Sequence, residues 1–169
     1  MSLSPLEPRS FSRIDLEAAG FQGWLTWDAL RTSDFSAVTS GPAAYVVYRT
    51  ADTAPSFLPA NPGGRFKDKD PTAPLQTLSS NWVAGAHAIY VGKADVADRR
   101  LKQFARFGAG EPVGHWGGRY MWQLADSAEL LVAWHAISWA ERARDYEKRL
   151  LTRFGELFDG HRPFANLTG

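Results

Sequence analysis

The stretch AIYVGKADVADRRLKQF, residues 88–104, decides the fold. With the two residues before it, the run 86–92 (AHAIYVG) is apolar, β-branched and aromatic, and so reads as a strand. Gly92 marks close backbone approach or a bulge at its end, and Lys93 projects from the turn. Asp95 is placed to cap a helix that runs to about Phe107 and closes on Gly108. On that helix Ala97, Leu101, Phe104 and Ala105 form the apolar stripe, with Arg99, Lys102, Gln103 and Arg106 opposite. Arg100 is three residues after Ala97 and four before Phe104, so it flanks the stripe and is the candidate inward-facing cation. Arg99, Lys102 and Arg106 belong to a solvated face, where they are also candidates to touch phosphate.

Upstream, AAYVVYRT (43–50) follows Gly41-Pro42 and reads as a second strand. Residues 51–81 hold most of the Pro and Gly of the middle of the chain and read as a long loop, a kind of segment that is often functional. Before residue 41, a helix-like start is cut by Gly20 and Gly23, and a short helix over 26–32 opens at Thr26 or its neighbours. Downstream, a short strand is expected around 119–124, and the nearly continuous apolar run 129–138 (ELLVAWHAIS) reads as an interior strand. Ser138-Trp139-Ala140-Glu141 has the capping-box pattern and starts a helix ending near Phe154-Gly155. The expectation is an α/β (α+β) domain: a small, mostly antiparallel sheet of three to four strands flanked by helices. Residues 1–40 read as an N-terminal extension with a short helix, and 41–169 as the domain, with an insertion at about 51–85.

Composition narrows the chemistry. A chain of 169 residues, 44% hydrophobic, supports one ordinary core. The formal net charge of +1 excludes nucleic-acid binding by bulk charge and leaves room for a local basic patch. The absence of Cys excludes disulfides and thiolate metal sites, which fits a reducing, cytoplasmic setting. No signal-type apolar segment or membrane-length apolar run is present, so no membrane partner is expected. Nucleophile motifs, a phosphate-cradling glycine loop and a two-histidine metal pattern are likewise missing.

Polar residues placed where the periodicity calls for apolar ones are the chemical signal. Ala143, Leu150, Leu151 and Phe154 stand at −4, +3, +4 and +7 from Glu147, which places this carboxylate in the core-facing stripe of its helix. There it must reach out to water, pair with an arginine, or hold a cation. Tyr45 and Tyr90 lie within the two strands, where packing alone accounts for most tyrosines. His115 is a lone histidine in the Gly/Trp-rich loop GHWGGRY, a place suited to structure or to a phosphate.

As an ordered set, these residues resemble the GIY-YIG nuclease superfamily. AAY (43–45) stands where that family has Gly-Ile-Tyr, and YVG (90–92) where it has Tyr-Ile-Gly, followed by Lys93. Arg100 lies ten residues after Tyr90, Glu147 precedes a pair of aliphatics in EKRLL, and Asn166 follows a Pro-containing turn in RPFAN. Residues 43–50 and 86–169 are covered. The chain departs from the pattern at Ala43 and Ala44, in the length between the two motifs, and at Phe104, where many members carry Tyr or His.

The resemblance implies a DNA endonuclease hydrolysing phosphodiester bonds, with Tyr45, Tyr90, Lys93, Arg100, Glu147 and Asn166 as its site. It implies one divalent metal, Mg2+ or Mn2+, held by Glu147, and products with a 5′-phosphate and a 3′-hydroxyl. In such a site Arg100 adds fixed positive charge beside the phosphate, Tyr90 activates water, and Asn166 orients the backbone around Glu147. Arg99, Lys102, Arg106 and His115 are the candidate nucleic-acid contacts. The competing expectation is a domain of the same frame that binds nucleic acid or protein without cutting.

Overall fold

The computed structural model describes residues 7–114 and 116–167. Its elements, in chain order, are α1 (Arg13–Ala19), β1 (Gln22–Thr26), α2 (Trp27–Thr32), β2 (Ala43–Tyr48), α3 (Leu75–Asn81), β3 (Ala88–Ala94), α4 (Ala97–Gly108), β4 (Leu131–Ala136) and α5 (Ala140–Leu157). Short 3-10 turns occupy Phe66–Asp68, Arg119–Gln123 and Ser127–Glu129. The protein is thus α+β, with the four strands in one sheet of order β1-β4-β2-β3. All three pairings are antiparallel. No helix among the described residues is long and apolar enough to cross a membrane.

Alternation along the strands divides the core in two. Tyr45 and Val47 of β2 and Val132 and Trp134 of β4 face α2 and α4, where Trp27, Leu30, Leu101 and Phe104 are buried. Ala44 and Val46 of β2 and Ala133 of β4 face α1 and α5, meeting Leu16, Ala143, Leu150 and Phe154. The run 131–136 is apolar but for His135 because β4 is interior and covered on both faces.

Residues 13–35, within the segment read as an extension, supply β1 and both its flanking helices to this sheet. Thr26 caps α2, its Oγ1 accepting from Ala29 N at 3.2 Å. Gly20 ends α1 in the left-handed region at φ 113°. Gly23 sits at the β1 bulge, where a Cβ would lie 2.3 Å from the Trp134 ring. The two glycines that interrupt the helical pattern therefore make a strand possible between them.

Four local expectations are corrected. Asp95 does not cap α4: Val96 is the N-cap, without a side-chain hydrogen bond, and Asp95 meets Lys93 instead, 3.5 Å away. The helix start is tied down by strand-end carbonyls, Ala97 N donating to Gly41 O and Asp98 N to Thr39 O, both at 3.1 Å. Ser138 is not the cap of α5, which begins one residue later on Trp139; Ile137 is still bonded to Pro42 O at 2.9 Å, so the chain leaves the sheet late. Gly155 does not end α5, because Gly160 folds back to donate to its carbonyl at 2.7 Å and the helix continues to Leu157.

The fourth correction concerns 119–124, a 3-10 turn rather than a strand. Its end is fixed by the fully buried Gln123, whose Nε2 donates to Leu58 O and Ala73 O and whose Oε1 accepts from Ala73 N, each at 2.9 Å. One side chain thereby fastens both arms of the 51–85 insertion. A second anchor is aromatic: Phe164 of the C-terminal tail packs against Phe57 (5.7 Å) and Trp82 (5.1 Å).

The tail also covers the outer edge of β3. Ala165 N donates to Ile89 O (2.8 Å), Asn166 Nδ2 donates to Val91 O (2.8 Å), and Asn166 Oδ1 accepts from Val91 N (2.9 Å). Asn166 thus acts as a surrogate strand residue at the point where Tyr90 and Gly92 leave the sheet. Asn166→Ala removes two hydrogen bonds and is expected to cost about 1–3 kcal/mol, measured by urea unfolding. A change within error would mean that water replaces the amide at no cost.

Candidate functional site

Tyr45 and Tyr90 lie on neighbouring strands and on the same face, with ring centroids 5.8 Å apart. Gly92, opposite Tyr45 in the ladder, makes their approach possible: a Cβ there would sit 2.6 Å from Tyr45 Cζ and 2.9 Å from Tyr90 Cε1. The glycine of the second motif is therefore room for the tyrosine pair. Burial of Tyr45 pushes its phenol well above the ordinary value, reinforced by Tyr90 and opposed by the Arg100 guanidinium. Burial also raises Tyr90, but its bond with the Tyr45 hydroxyl and the charge of Arg100 both ease loss of its proton. In this pair Tyr45 is the donor and Tyr90 the acceptor, with Arg100 bonded to the Tyr45 oxygen. Tyr90 is the more acidic end of the chain.

The helix-face reading of the two arginines holds. Arg100 is half-buried and engages Tyr45, whereas Arg99 is exposed. Both line a hollow of about 370 Å³ with Lys93 at the mouth of β3.

Glu147 comes to the same place from the other side of the sheet. It is half-buried on α5, as its stripe position requires. Burial raises its pKa, while the charges of Lys93 and Arg162 and the backbone N–H of Lys93 pull it down. It also lies near enough to Tyr90 to oppose ionisation of that phenol. The meeting is possible because β3 is an edge strand. Tyr90 and Gly92 alternate to the α4 face and Val91 and Lys93 to the α5 face, so groups from both faces meet around the edge.

Two hollows flank this junction. The first is the one containing Lys93 and Arg100. The second is a cleft of about 860 Å³ whose walls include Trp116, Arg119, Tyr120 and Arg162. Gly117 in its wall is next to Tyr90: a Cβ there would be 4.0 Å from the Tyr90 hydroxyl. Glu147 feels the charges of Lys93, which lines the first hollow, and of Arg162, which lines the second.

The other candidates separate. Lys102 pairs with Asp34 (2.8 Å) and Arg106 with Glu111 (3.1 Å), so both charges on the far side of α4 already have acidic partners. His115 lies outside the described residues. Phe104 is fully buried, stacked on Trp27 at 5.3 Å and 5.5 Å from Tyr90. Arg119 and Arg162 are basic residues of the cleft that sequence reading passed over. Their signal was slight: each is an arginine within a stretch quoted for another residue, GHWGGRY for His115 and RPFAN for Asn166.

Among the described residues no group of three or more His, Asp or Glu is gathered for a metal. A divalent cation here would have Glu147 as its protein carboxylate and take its remaining ligands from water and phosphate, the mode Mg2+ commonly uses. A half-buried carboxylate whose ionised form is penalised by burial suits such a cation, so the donor set fits. No protein-family model matches the chain, and no curated protein or solved structure matches it either.

Proposed function

We propose that this protein is a metal-dependent DNA endonuclease that hydrolyses phosphodiester bonds at a GIY-YIG-type site. The observation that supports this best is the clustering of charge: Glu147 and Tyr90 influence each other, Arg100 acts on Tyr90 and Lys93 and Arg162 act on Glu147, and these cations line two hollows with Arg99 and Arg119. The basic hollows hold the phosphates flanking a scissile bond, and the cluster receives that bond.

Each side chain has a part that follows from its surroundings. Arg100 holds Tyr45 through its hydroxyl and adds positive charge beside the phosphate. Tyr45 stays protonated and points its hydrogen at Tyr90, which fixes Tyr90 as a proton acceptor. Tyr90, once it has given up its own proton, takes the proton of the attacking water. Its raised pKa opposes that role, while the Tyr45 hydrogen bond and the Arg100 charge favour the ionised form, and a cation held by Glu147 would add to them. Lys93 offsets charge on the phosphate and holds Glu147 in place through its backbone N–H. Glu147 would hold a divalent metal, which would supply Lewis-acid stabilisation of the charge on the phosphate oxygens.

The test is nicking of supercoiled plasmid with Mg2+ or Mn2+. Arg100→Ala and Glu147→Ala are each expected to lower the rate at least 100-fold with the fold intact by circular dichroism. Wild-type rates in both variants would remove the site assignment. Plasmid binding by the wild type without any nicking would replace the enzyme with a binding module.

A further inference from the structure

We propose that the 51–85 insertion builds a track for a single-stranded DNA segment leading to the Tyr90 hydroxyl. The proposal rests on the nuclease reading and names the form of its substrate. Trp116 carries the argument because it belongs to two hollows. It walls the cleft whose Gly117 lies beside the Tyr90 hydroxyl, and it also lines a second hollow of about 300 Å³ with Phe66, Lys67, Lys69 and Gly114. Joined through Trp116, the two linings combine the cations Lys67, Lys69, Arg119 and Arg162 with the rings of Phe66, Trp116 and Tyr120.

This run is selective in charge. The chain carries 18 Asp and Glu against 19 Lys and Arg, yet neither hollow has an acidic residue in its lining. It is also built. The Arg119 guanidinium lies over Trp116 (5.1 Å) and Tyr120 (5.4 Å), and Nη1 donates to Trp116 O at 3.1 Å. Buried Asn61, from the insertion, donates to Arg119 O at 2.7 Å. Lys67 and Asp68 hold left-handed conformations (φ 55° and 60°) without glycine, in the turn that lays Phe66 against Gly114. The insertion is thus fixed to the cleft wall by Asn61 and Gln123.

Cations and rings lining one run match a single strand. Phosphates follow the Lys and Arg, and bases unstacked from one another find aromatic surface. A duplex keeps its base faces covered, so ring-lined concavities offer it nothing beyond what a flat basic patch would. The location gives the track its purpose, since Gly117 in its wall lies beside the tyrosine at the proposed chemistry.

The experiment is fluorescence anisotropy in EDTA, where cutting is absent, using a labelled 20-mer of deoxythymidine and a hairpin duplex of equal length, over a range of KCl. The wild type is expected to bind the single strand at least 10-fold more tightly than the duplex. Lys67→Ala/Lys69→Ala, at two exposed positions, should weaken single-strand binding about 10-fold and flatten its salt dependence by about one to two phosphate contacts. Phe66→Ala should weaken it about 5- to 100-fold through loss of one stacked base. Equal affinity for duplex, or single-strand binding unchanged in both insertion variants, overturns the track. Plasmid nicking run in parallel separates the two claims. Nicking without insertion-dependent binding leaves the nuclease reading standing and removes the track. Insertion-dependent binding without nicking does the reverse.

Discussion

Glu147→Gln is expected to abolish metal-dependent nicking and, at neutral pH, to raise the unfolding temperature. The two effects share one cause. Burial lifts the Glu147 pKa above its ordinary 4.5, ahead of the opposing pull of Lys93 and Arg162. A carboxyl whose native pKa is raised favours folding fully below the unfolded-state value, and that contribution is lost as pH rises through the native value. At neutral pH the ionised group therefore weakens the fold. Glutamine has nearly the same shape and does not ionise, so the variant escapes this loss. Its advantage should be greatest near neutrality and disappear as pH falls toward 4.5. Activity moves the other way, because a neutral amide is a poor ligand for a divalent cation. The loss should be on the order of a thousandfold, as expected for several kcal/mol of charge stabilisation. Thermal melts from pH 4 to 8 and plasmid nicking at matched pH check both. A variant that is less stable at pH 7 would mean that the Lys93 and Arg162 contacts outweigh burial, making Glu147 a structural ion-pair partner.

Stability given up for a charged group inside a helix stripe is also why this residue was legible beforehand. A pattern of period 3.6 states where the core lies, and Glu147 and Arg100 stand out against it. The same logic separated Arg100 from Arg99, and the half-buried and exposed side chains agree with it. Strands β2, β3 and β4 were legible because each carries an unbroken run of four or more apolar residues with at least one β-branched and one aromatic residue. What escaped depends on partners remote in sequence. Strand β1 contains Gly23 and a left-handed Trp24, and its place in the sheet depends on the Trp134 ring more than 100 positions away. The 119–123 turn is held by Gln123 reaching Leu58 and Ala73, 65 and 50 residues distant. Arg119 and Arg162 become cleft residues only when the insertion and the C-terminal tail fold against the same edge. Cap positions failed for a similar reason: Ala97 and Asp98 are tied to the carbonyls of Gly41 and Thr39, so Asp95 has no capping duty to perform.

Phe104→Ala is expected to destabilise the protein by about 3–5 kcal/mol, the range for removing a large buried ring. Its ring is fully buried and stacks at 4° on Trp27, with Trp122 at 5.8 Å and Tyr90 at 5.5 Å. The cavity left behind would sit directly beneath Tyr90, so nicking should fall along with stability. Phe104→Tyr is the more telling change, since it restores the polar ring that the resemblance leads one to expect here. The ring tip already fills the space beside Gly118, where a Cβ would lie 2.4 Å from Phe104 Cζ. An added para-hydroxyl must displace that backbone. Overpacking of this kind costs about 1–3 kcal/mol. Urea unfolding should show the loss, and nicking should not rise. A tyrosine variant that is as stable as the wild type and cuts faster would place a missing proton-transfer group at this position. The expected result places Phe104 as the floor on which Tyr90 rests, with the polar chemistry confined to the opposite side of that ring.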